Sequence, residues 1–423
     1  MILTNARILT FDDKNRIIDR GSIEICEDGS IGGVFGGGRS SPSLEPEPLI
    51  DVGGRVLMPA LINCHTHLYG TFARGMILPG QRPQNFPAIL KNLWWRLDCA
   101  LDEEDIYYSA LVGLMDSARC GVATVIDHHS SPKACAGSLD QIERAFEKVG
   151  LRGATCYETS DRNGSQSALE GVRENIRFLE RRRPDSLVTG AFGLHAAFTL
   201  SDRTLRACLD ANQAFGAGFH VHVAEDKVDR GAVQRLDTLG LLNERTLAAH
   251  CIHINAADRR VLAERRVNVV HNPQSNCNNA VGTAEPIPGV LTGLGTDGFS
   301  PCIWDELKMS LGLQKLRARD PRAGCPDLFL NNRAIVKKIW GFDVGRIERG
   351  ARADVMLVDY FPPTPIHSGN LFGHLLFGIA HAAVDSLIVN GHYVMRAKQL
   401  ERVDEARIAQ KAAARAKVFW ERL

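Results

Sequence analysis

The chain has 423 residues, of which 44% are hydrophobic, enough for a large buried core and for two or three structural units. Its 50 Lys and Arg residues balance 49 Asp and Glu residues, which gives a formal net charge of +1 and argues against nucleic acid or an anionic membrane as the main partner. No run predicts a membrane span, and the first residues lack the apolar core of a signal peptide. The eleven cysteines contain no CxxC pair and predict reduced thiols in a cytoplasmic protein.

The two ends of the chain predict β-rich segments that combine into one small sandwich domain, residues 1–57 and 346–400. In the first segment the predicted strands are Met1–Thr10, Ser22–Cys26, Ile31–Phe35 and Pro48–Val52. The glycine-rich stretch Gly32–Gly38 does not show the strand–GxGxxG–helix order of a dinucleotide site, so we interpret it as a surface hairpin or linker. A charged amphipathic helix is predicted over residues 401–423.

Strand-like and helix-like stretches alternate between these segments, over residues 58–345. The predicted strands are short runs rich in Val, Ile, Leu and Ala: Val56–Cys64, Val122–Asp127, Leu151–Thr159, Leu187–His195, Gly218–Glu225, Thr246–Cys251, Val267–Asn272 and Val290–Asp297. The predicted helices are Glu103–Arg119, Leu139–Val149, Ala168–Arg182, Asp202–Phe215, Gly231–Leu239, Ala256–Arg265 and Ile303–Arg317. Eight strand–helix units in series predict an α/β fold: a distorted (β/α)8 TIM barrel beside the composite β-sandwich domain.

The motif His65-Thr66-His67 ends the first predicted barrel strand. Side chains two positions apart on a strand point to the same face, so both imidazoles can bind one ion. A pair of turn histidines without a ligand is the alternative interpretation of this motif alone. Most other strand ends also carry metal-competent side chains, namely His128, His129, His195, His220, His222, Glu225, His250, His271 and Asp297. Because barrel enzymes hold their catalytic groups at these ends, the pattern indicates a single site.

The sequence predicts four metal ligands, three nitrogens and one oxygen: His65, His67, His222 and Asp297. This set leaves an open position for water, as a catalytic metal site requires. Glu225 follows the third ligand by three residues and is predicted to shuttle a proton. His250 is predicted either as a further ligand or as a hydrogen-bond donor to the water and the developing oxyanion. His220 either faces the same site or packs behind it.

We expect one divalent ion. Binuclear barrels of this kind use a carboxylated lysine at the end of strand four, and Leu187–His195 contains no lysine. Three imidazoles and one carboxylate suit several metals, so zinc is the expected ion and Fe2+ and Mn2+ are the alternatives.

Several motifs resemble the amidohydrolase superfamily, in its aminohydrolase branch of deaminases and triazine hydrolases. They are Pro59–His67, His222–Glu225, Ala248–Cys251, Gly295–Gly298 and the C-terminal segment Gly350–Asp359. A finer resemblance, to the SsnA subfamily of aminohydrolases, rests on Leu90–Asp98, Val125–Ser130, Glu158–Asn163 and His271–Asn279. The chain departs from the family at Ala60, where many relatives have glycine, and at Asn278-Asn279, where better characterised deaminases usually have a lysine.

The resemblance implies a metal-dependent deaminase that acts on an amino-substituted N-heterocycle, purine-, pyrimidine- or triazine-like, and releases ammonia. We expect the metal to supply hydroxide, Asp297 to accept a proton, Glu225 to protonate the ring and His250 to stabilise the tetrahedral intermediate. A different leaving group, such as chloride or an alkylamine, or the opening of a cyclic amide is the alternative within enzymes. A barrel that has lost catalysis and serves as a scaffold is the alternative outside them, and the complete ligand set argues against it.

The expected partner is a small heterocyclic substrate, and a homodimer is expected because relatives are often dimers. The predicted substrate contacts are His128, His129, His195, Asn276 and Trp94. Trp94 and Trp95, together with Phe86, are candidates for an aromatic wall against a flat ring. Helix packing is the alternative for the two tryptophans, because neighbouring residues on a helix point in different directions.

Overall fold

The computed structural model describes residues 1–37, 49–77, 83–181, 183, 186–324 and 326–423. Three predicted stretches, Gly32–Gly38, Pro48–Val52 and Ala168–Arg182, each include one residue that lies outside these ranges: Gly38, Pro48 and Arg182.

One nine-stranded sheet joins the two ends of the chain. Its N-terminal strands are β1 (Ile2–Leu9), β2 (Ile17–Ile25), β3 (Ile31–Phe35), β4 (Leu49–Asp51) and β5 (Val56–Pro59). Nine strands then follow in the middle of the chain: β6 (Leu61–Thr66), β7 (Val122–Asp127), β8 (Arg152–Thr155), β9 (Val188–Gly190), β10 (Phe192–Ala196), β11 (Phe219–Val223), β12 (Leu247–His250), β13 (Asn268–His271) and β14 (Thr292–Leu294). The C-terminal strands are β15 (Val355–Val358), β16 (Val384–Val389), β17 (His392–Arg396) and β18 (Gln399–Leu400).

The terminal sheet has the order β18-β17-β16-β15-β5-β1-β2-β3, with β4 paired to β1. The two ends of the chain meet where β5 pairs antiparallel with β15, from Val56 opposite Val358 to Pro59 opposite Val355. Buried aliphatic side chains from both ends, including Leu57, share one core. Because β5 continues to Pro59, this sheet extends two residues past the boundary expected at residue 57. The division of the chain into a sandwich domain and a barrel domain remains a proposal.

The barrel is built from two parallel sheets, β6-β7-β8-β9 and β10-β11-β12-β13-β14. The expected fourth strand, Leu187–His195, divides at Ala191 into β9 and β10. Backbone hydrogen bonds cross both gaps between the sheets. The amide of His195 donates to the Thr159 carbonyl over 3.0 Å, and the amide of Thr296 donates to the His65 carbonyl over 2.8 Å. The eight strand positions therefore form the distorted barrel that the sequence predicts.

The expected first barrel strand, Val56–Cys64, also divides, at Ala60, into β5 of the terminal sheet and β6 of the barrel. The Ala60 amide donates to the Asp354 carbonyl over 3.0 Å, whereas the next amide, Leu61, donates to the Gly121 carbonyl over 2.8 Å. The apolar run is continuous because both strands are buried, so its pattern does not mark the change of sheet.

The described helices are α1 (Phe86–Ile89), α2 (Trp95–Ala100), α3 (Glu103–Arg119), α4 (Ser138–Val149), α5 (Ser165–Glu180), α6 (Asp202–Asn212), α7 (Ala232–Thr238), α8 (Ala256–Glu264), α9 (Pro273–Asn278), α10 (Ile303–Ala318), α11 (Leu328–Trp340), α12 (Leu371–Phe377) and α13 (Glu405–Trp420). A π-helical turn over Leu90–Trp94 joins α1 to α2. Short 3-10 turns cover Leu68–Ala73, Pro132–Ala134, Ala197–Thr199, Lys227–Asp229 and Ile379–His381. All seven predicted barrel helices and the C-terminal helix are present, with ends shifted by a few residues.

Helix α11, which the sequence did not predict, closes the barrel between its last and first strands. The buried Asn332 amide donates to the Ile62 carbonyl over 2.7 Å and to the Leu294 carbonyl over 2.9 Å. Its oxygen accepts from the Leu294 amide over 2.7 Å. One side chain thus links β14 to β6. The candidate ligands lie at or just after the carboxyl ends of these two strands.

Helix α13 packs against α3 and against the 3-10 turn that follows His67. Phe419 is fully buried with its ring 6.0 Å from the ring of Phe72, and the Trp420 indole donates to the Phe72 carbonyl over 2.8 Å. Arg415 pairs with Asp102 and Asp105 at the start of α3. The C-terminal helix therefore packs against the segment that directly follows the candidate ligands His65 and His67.

None of the helices in the described ranges has both the length and the apolar character to cross a bilayer. The cysteines in those ranges are all free thiols.

Candidate active site and metal centre

The predicted ligands meet at one end of the barrel. His65 lies in β6 and is followed by His67, His222 lies in β11, and Asp297 follows β14. The backbone is left-handed at Asp297 and at His250, with φ of 54° and 74°. Such conformations cost about 1–3 kcal/mol each for residues other than glycine and cluster at functional sites.

The four candidate ligand atoms surround one point. The Nε2 atoms of His67 and His222 are 3.2 Å apart, and Asp297 Oδ1 lies 3.1 Å from His67 Nε2 and 3.9 Å from His65 Nε2. Two atoms that each lie about 2.0–2.2 Å from a tetrahedral zinc ion are separated by about 3.3–3.5 Å, so this spacing is near that of atoms sharing one ion. His65 Nε2 is buried without a hydrogen-bond partner among the described residues. The donor set therefore fits a divalent metal.

Backbone carbonyls set the orientation of two ligand rings. The Nδ1 atom of His67 lies 2.6 Å from the His128 carbonyl, and Nδ1 of His222 lies 2.8 Å from the His195 carbonyl. Each Nδ1–H must donate to its carbonyl, which leaves the Nε2 lone pair directed at the centre. Glu158 lies 3.1 Å from His67 Nδ1 and strengthens that orientation.

The electrostatics of the centre suit a cation. Burial, together with neighbouring imidazoles, lowers the pKa values of His65 and His222 well below the usual range, so both rings are neutral. Burial opposes charge on His67 as well, but hydrogen bonds to Asp297 and Glu158 outweigh it and raise the His67 pKa. The Asp297 pKa is held well below its usual range by the same contact, against its burial. The two carboxylates thus stabilise positive charge where the ligand atoms meet.

Glu225 and His250 lie beside this centre. Glu225 Oε2 is 3.5 Å from His250 Nε2, and His250 Nε2 is 3.7 Å from Asp297 Oδ2. Burial, reinforced by the nearby Asp297, raises the Glu225 pKa well above its ordinary value. The His250 ring is oriented by a 2.8 Å hydrogen bond between its Nδ1 and the Asn276 side chain. A proton-carrying carboxyl group and an oriented imidazole therefore stand next to the metal position.

A cleft opens over His67, His222 and Asp297. Trp94 and Trp95 both line it. They share one wall because the π-helical turn ends at Trp94 and an α-helical turn begins at Trp95, so the expectation that neighbours cannot face one pocket is wrong here. The remaining aromatic and apolar lining includes Tyr69, Phe86, Leu90 and Phe198. The cleft has aromatic and apolar walls with polar groups at its base, the lining that is typical of a small-molecule site.

The expected substrate contacts divide into two groups. His195 and Trp94 line the cleft. The described lining does not include His128, His129 or Asn276, which bond or stack behind it. The His129 ring bonds to the Ser131 hydroxyl, and Asn276 bonds to His250. The His128 ring stacks on His220, and one of its nitrogens lies within 4.8 Å of the ligand atoms of the three candidate histidine ligands. Direct contact with substrate is therefore proposed only for His195 and Trp94.

Glu158, Arg162 and Ser275 are among the site residues to which the sequence interpretation assigned no role. Glu158 and Arg162 line the cleft, and Arg162 forms a buried ion pair with Asp98 while its guanidinium lies 5.5 Å from the Trp95 ring centre. Ser275 donates to Asp297 Oδ2 over 2.6 Å and so orients the carboxylate ligand. The signal was present, since Glu158–Asn163 and His271–Asn279 are two of the motifs quoted for the finer family resemblance.

The sequence pattern of the amidohydrolase family matches residues 56–394. The 5-methylthioadenosine/S-adenosylhomocysteine deaminase of Desulforudis audaxviator is 30% identical over 412 residues, covering 91% of this chain and 92% of that protein. The 5'-deoxyadenosine deaminase of Methanosarcina mazei is 30% identical over 437 residues, covering 98% and 97%.

Solved structures confirm the fold. An adenosine deaminase from Xanthomonas campestris with bound zinc has a TM-score of 0.85 at 22% identity, covering 100% of this chain and 98% of that one. Atrazine chlorohydrolase from Arthrobacter aurescens, complexed with zinc, has a TM-score of 0.80 at 18% identity, covering 98% and 99%. The finer resemblance to the SsnA subfamily remains a prediction. The match over most of the chain, together with the barrel and its histidine cluster, shows that this protein belongs to the amidohydrolase family.

Proposed function

We propose that the protein is a metal-dependent aminohydrolase that removes the exocyclic amino group of an adenine nucleoside and releases ammonia. The observation that carries the proposal is the convergence of His65, His67, His222 and Asp297 beside the proton-carrying Glu225, at the base of an aromatic cleft. The relatives named above deaminate adenine nucleosides and match nearly the whole chain, which supports this substrate class.

One divalent ion, with zinc expected and Fe2+ and Mn2+ as alternatives, would be held by the four ligands and would acidify a bound water toward neutral pH. Asp297 is placed to accept a proton from that water, because Ser275 and the Gly298 amide hold its two oxygens in position. Burial raises the pKa of Glu225, which favours its protonated form, and Glu225 would deliver that proton to the ring nitrogen beside the carbon that is attacked.

The atoms balance as a hydrolysis. Water adds its hydroxyl group to the ring carbon and its other proton to the ring nitrogen. The hydroxyl proton then passes to the amino group, which leaves as ammonia and gives an oxo-purine. His250, 3.5 Å from Glu225, is placed to stabilise the tetrahedral intermediate. Trp94, Trp95 and His195 line the region where the flat ring would bind.

Ammonia release from a panel of heterocycles tests the proposal. The panel contains 5-methylthioadenosine, 5'-deoxyadenosine, adenosine, guanine, a pterin, and amino-, alkylamino- and chlorotriazines. We expect the adenine nucleosides to give the highest kcat/KM. Release of chloride or an alkylamine without ammonia would favour the alternative hydrolase, and no reaction by zinc-loaded protein with any member would contradict the proposal.

Metal analysis separates an enzyme from a scaffold. We expect about one ion per chain, and we expect His65→Ala, His222→Ala and Asp297→Ala each to lose metal and activity together. Elemental mass spectrometry on the purified protein measures the metal, and a content far below one ion per chain after incubation with zinc would favour the scaffold.

We further propose that the protein acts in the cytoplasm as a homodimer. Free thiols at every cysteine in the described ranges are compatible with a reducing compartment. Sedimentation velocity at micromolar concentration tests the dimer, and a single species near 46.4 kDa would contradict it.

A further inference from the structure

The three histidine ligands are oriented by different kinds of partner. Backbone carbonyls accept from Nδ1 of His67 and His222, as described above. Nδ1 of His65 instead lies 2.8 Å from Nε2 of another histidine, His220. Both His65 and His220 are completely buried, so water does not compete for this contact.

The contact continues beyond His220. Nδ1 of His220 lies 3.7 Å from Cys156 Sγ, and Cys156 Sγ lies 3.8 Å from the Asp127 carbonyl. The metal requires a free lone pair on His65 Nε2, so the His65 hydrogen is on Nδ1 and is donated to His220 Nε2. His220 must then carry its own hydrogen on Nδ1 and donate to Cys156, whose thiol donates to the carbonyl. One direction of donation satisfies the entire chain, which begins at a ligand and ends on the backbone.

We propose that His220 is a positioning residue that fixes the tautomer and ring orientation of His65, and that Cys156 fixes His220 in turn. The proposal rests on the metal site of the proposed function, but not on any particular substrate. Groups that orient metal-binding histidines typically change metal affinity about 10-fold to 100-fold when removed. For His65, the group that accepts from Nδ1–H is a neutral imidazole, whereas for His67 and His222 it is a backbone carbonyl.

A second ion is the competing interpretation of the same residues. His128, Cys156 and His220 offer ligand atoms within 4.8 Å of one another. However, the His128 and His220 rings are stacked, with centres 4.2 Å apart and planes only 14° from parallel. A nitrogen lone pair lies in the plane of its ring, so two nearly parallel rings cannot both direct lone pairs at one ion. Both nitrogens of His220 are already in hydrogen-bond contacts. The cluster therefore orients the ligand and does not hold a second metal.

Zinc affinity measured by chelator competition on the full-length protein tests the assignment without a substrate. His220→Leu removes the acceptor for His65 and should weaken zinc binding about 10-fold to 100-fold. His220→Gln keeps an acceptor near the Nε2 position, so its zinc affinity should stay within about threefold of that of the natural protein. This limit lies well below the loss expected for His220→Leu. The matched control is His374→Leu, which removes a buried histidine on α12 that bonds to Tyr360, and should leave zinc affinity unchanged.

The results separate the competing interpretations. Unchanged zinc affinity in folded His220→Leu would overturn the proposal, and a fall from two ions to one per chain would establish the second site instead. If His220→Leu does not fold, the tautomers decide the question in the natural protein. Nitrogen-15 spectra of the histidine-labelled, zinc-loaded enzyme should show His65 and His220 both protonated at Nδ1, whereas a proton on Nε2 of His220 would overturn the assignment. If His220→Leu weakens zinc binding but the natural protein deaminates no member of the substrate panel, this proposal stands and only the proposed function is contradicted.

Discussion

Replacing Glu225 by glutamine isolates the proton that the proposed reaction requires. The substitution preserves the size of the side chain and its ability to contact Asn279 and His250, which lie 3.5 Å from its two oxygens. Glutamine cannot give or take a proton under these conditions. The metal ligands His222 and Asp297 are untouched, so metal binding should be retained.

The structure sets the expected size of the effect. The Glu225 side chain is only 12% exposed, and burial raises its pKa, which favours the protonated form that a general acid needs. Loss of a positioned general acid typically lowers the rate about 100-fold to 10,000-fold. That range corresponds to about 3–5 kcal/mol of additional barrier. We expect the upper half of the range, because the neighbouring Asp297 is committed to the metal and cannot act as a substitute.

The assay is ammonia release under saturating substrate, with zinc content and KM measured on the same preparation. We expect kcat to fall while zinc content and KM remain close to the natural values. Glu306→Gln is the matched control, since Glu306 is also buried with a raised pKa, of about 8, but is not part of the described cleft lining. Its kcat should change little. A Glu225→Gln enzyme that retained zinc and kept a kcat within about tenfold would show that another group delivers the proton.

Three further predictions concern stability. Phe419→Ala should cost about 3–5 kcal/mol in urea unfolding, because the ring is fully buried against the turn after His67, and a loss below about 1 kcal/mol would contradict that packing. Arg319→Gly should raise the free energy of unfolding by about 0.5–1 kcal/mol, because Arg319 is exposed with φ 51°, so glycine relieves the backbone without removing a buried contact; a destabilised variant would exclude backbone strain. Burial raises the Asp229 pKa to about 6 in the folded protein, so the native state binds the extra proton. The free energy of unfolding should therefore fall by up to about 3 kcal/mol as the pH rises from 4 to 6. If that free energy changed equally with pH in Asp229→Asn and in the natural protein, the result would refute this.

The sequence could predict which candidate ligands come together because each of them ends a short apolar run. Once those runs are assigned to one barrel, their carboxyl ends must meet, even though His65 and Asp297 are far apart in the chain. The division of the runs at Ala60 and Ala191 could not be predicted in this way. Hydrophobic pattern reports that a strand is buried, but both sheets are buried there, and only the backbone pairing shows which sheet each part joins.

The roles of polar residues behind the ligands were also beyond the sequence pattern. His128 and His129 are consecutive at a strand end, and neither belongs to the described cleft lining, which their position in the sequence alone does not show. Helix α11 was missed although its buried residues, from Leu328 to Ile339, recur at helical spacing. What this pattern could not show is that Asn332 ties the last strand to the first by hydrogen bonds. Glu158 falls in a motif that was noted without an assigned chemistry, and its role depends on a 3.1 Å approach to His67 that only the fold creates.

The fourth ligand is positioned through the first two. The Asp297 amide donates to the His65 carbonyl over 3.0 Å, and the His67 amide donates back to the Asp297 carbonyl over 3.3 Å. The Thr66 hydroxyl adds a 2.9 Å bond to that same carbonyl. These bonds are the pairing between the first and last strands, so closing the barrel and assembling the ligand set are one structural event. The hydrogen bonds to the His65 carbonyl and from the His67 amide also maintain the strained φ of Asp297. An ion that binds only the closed arrangement must therefore stabilise the barrel at this junction.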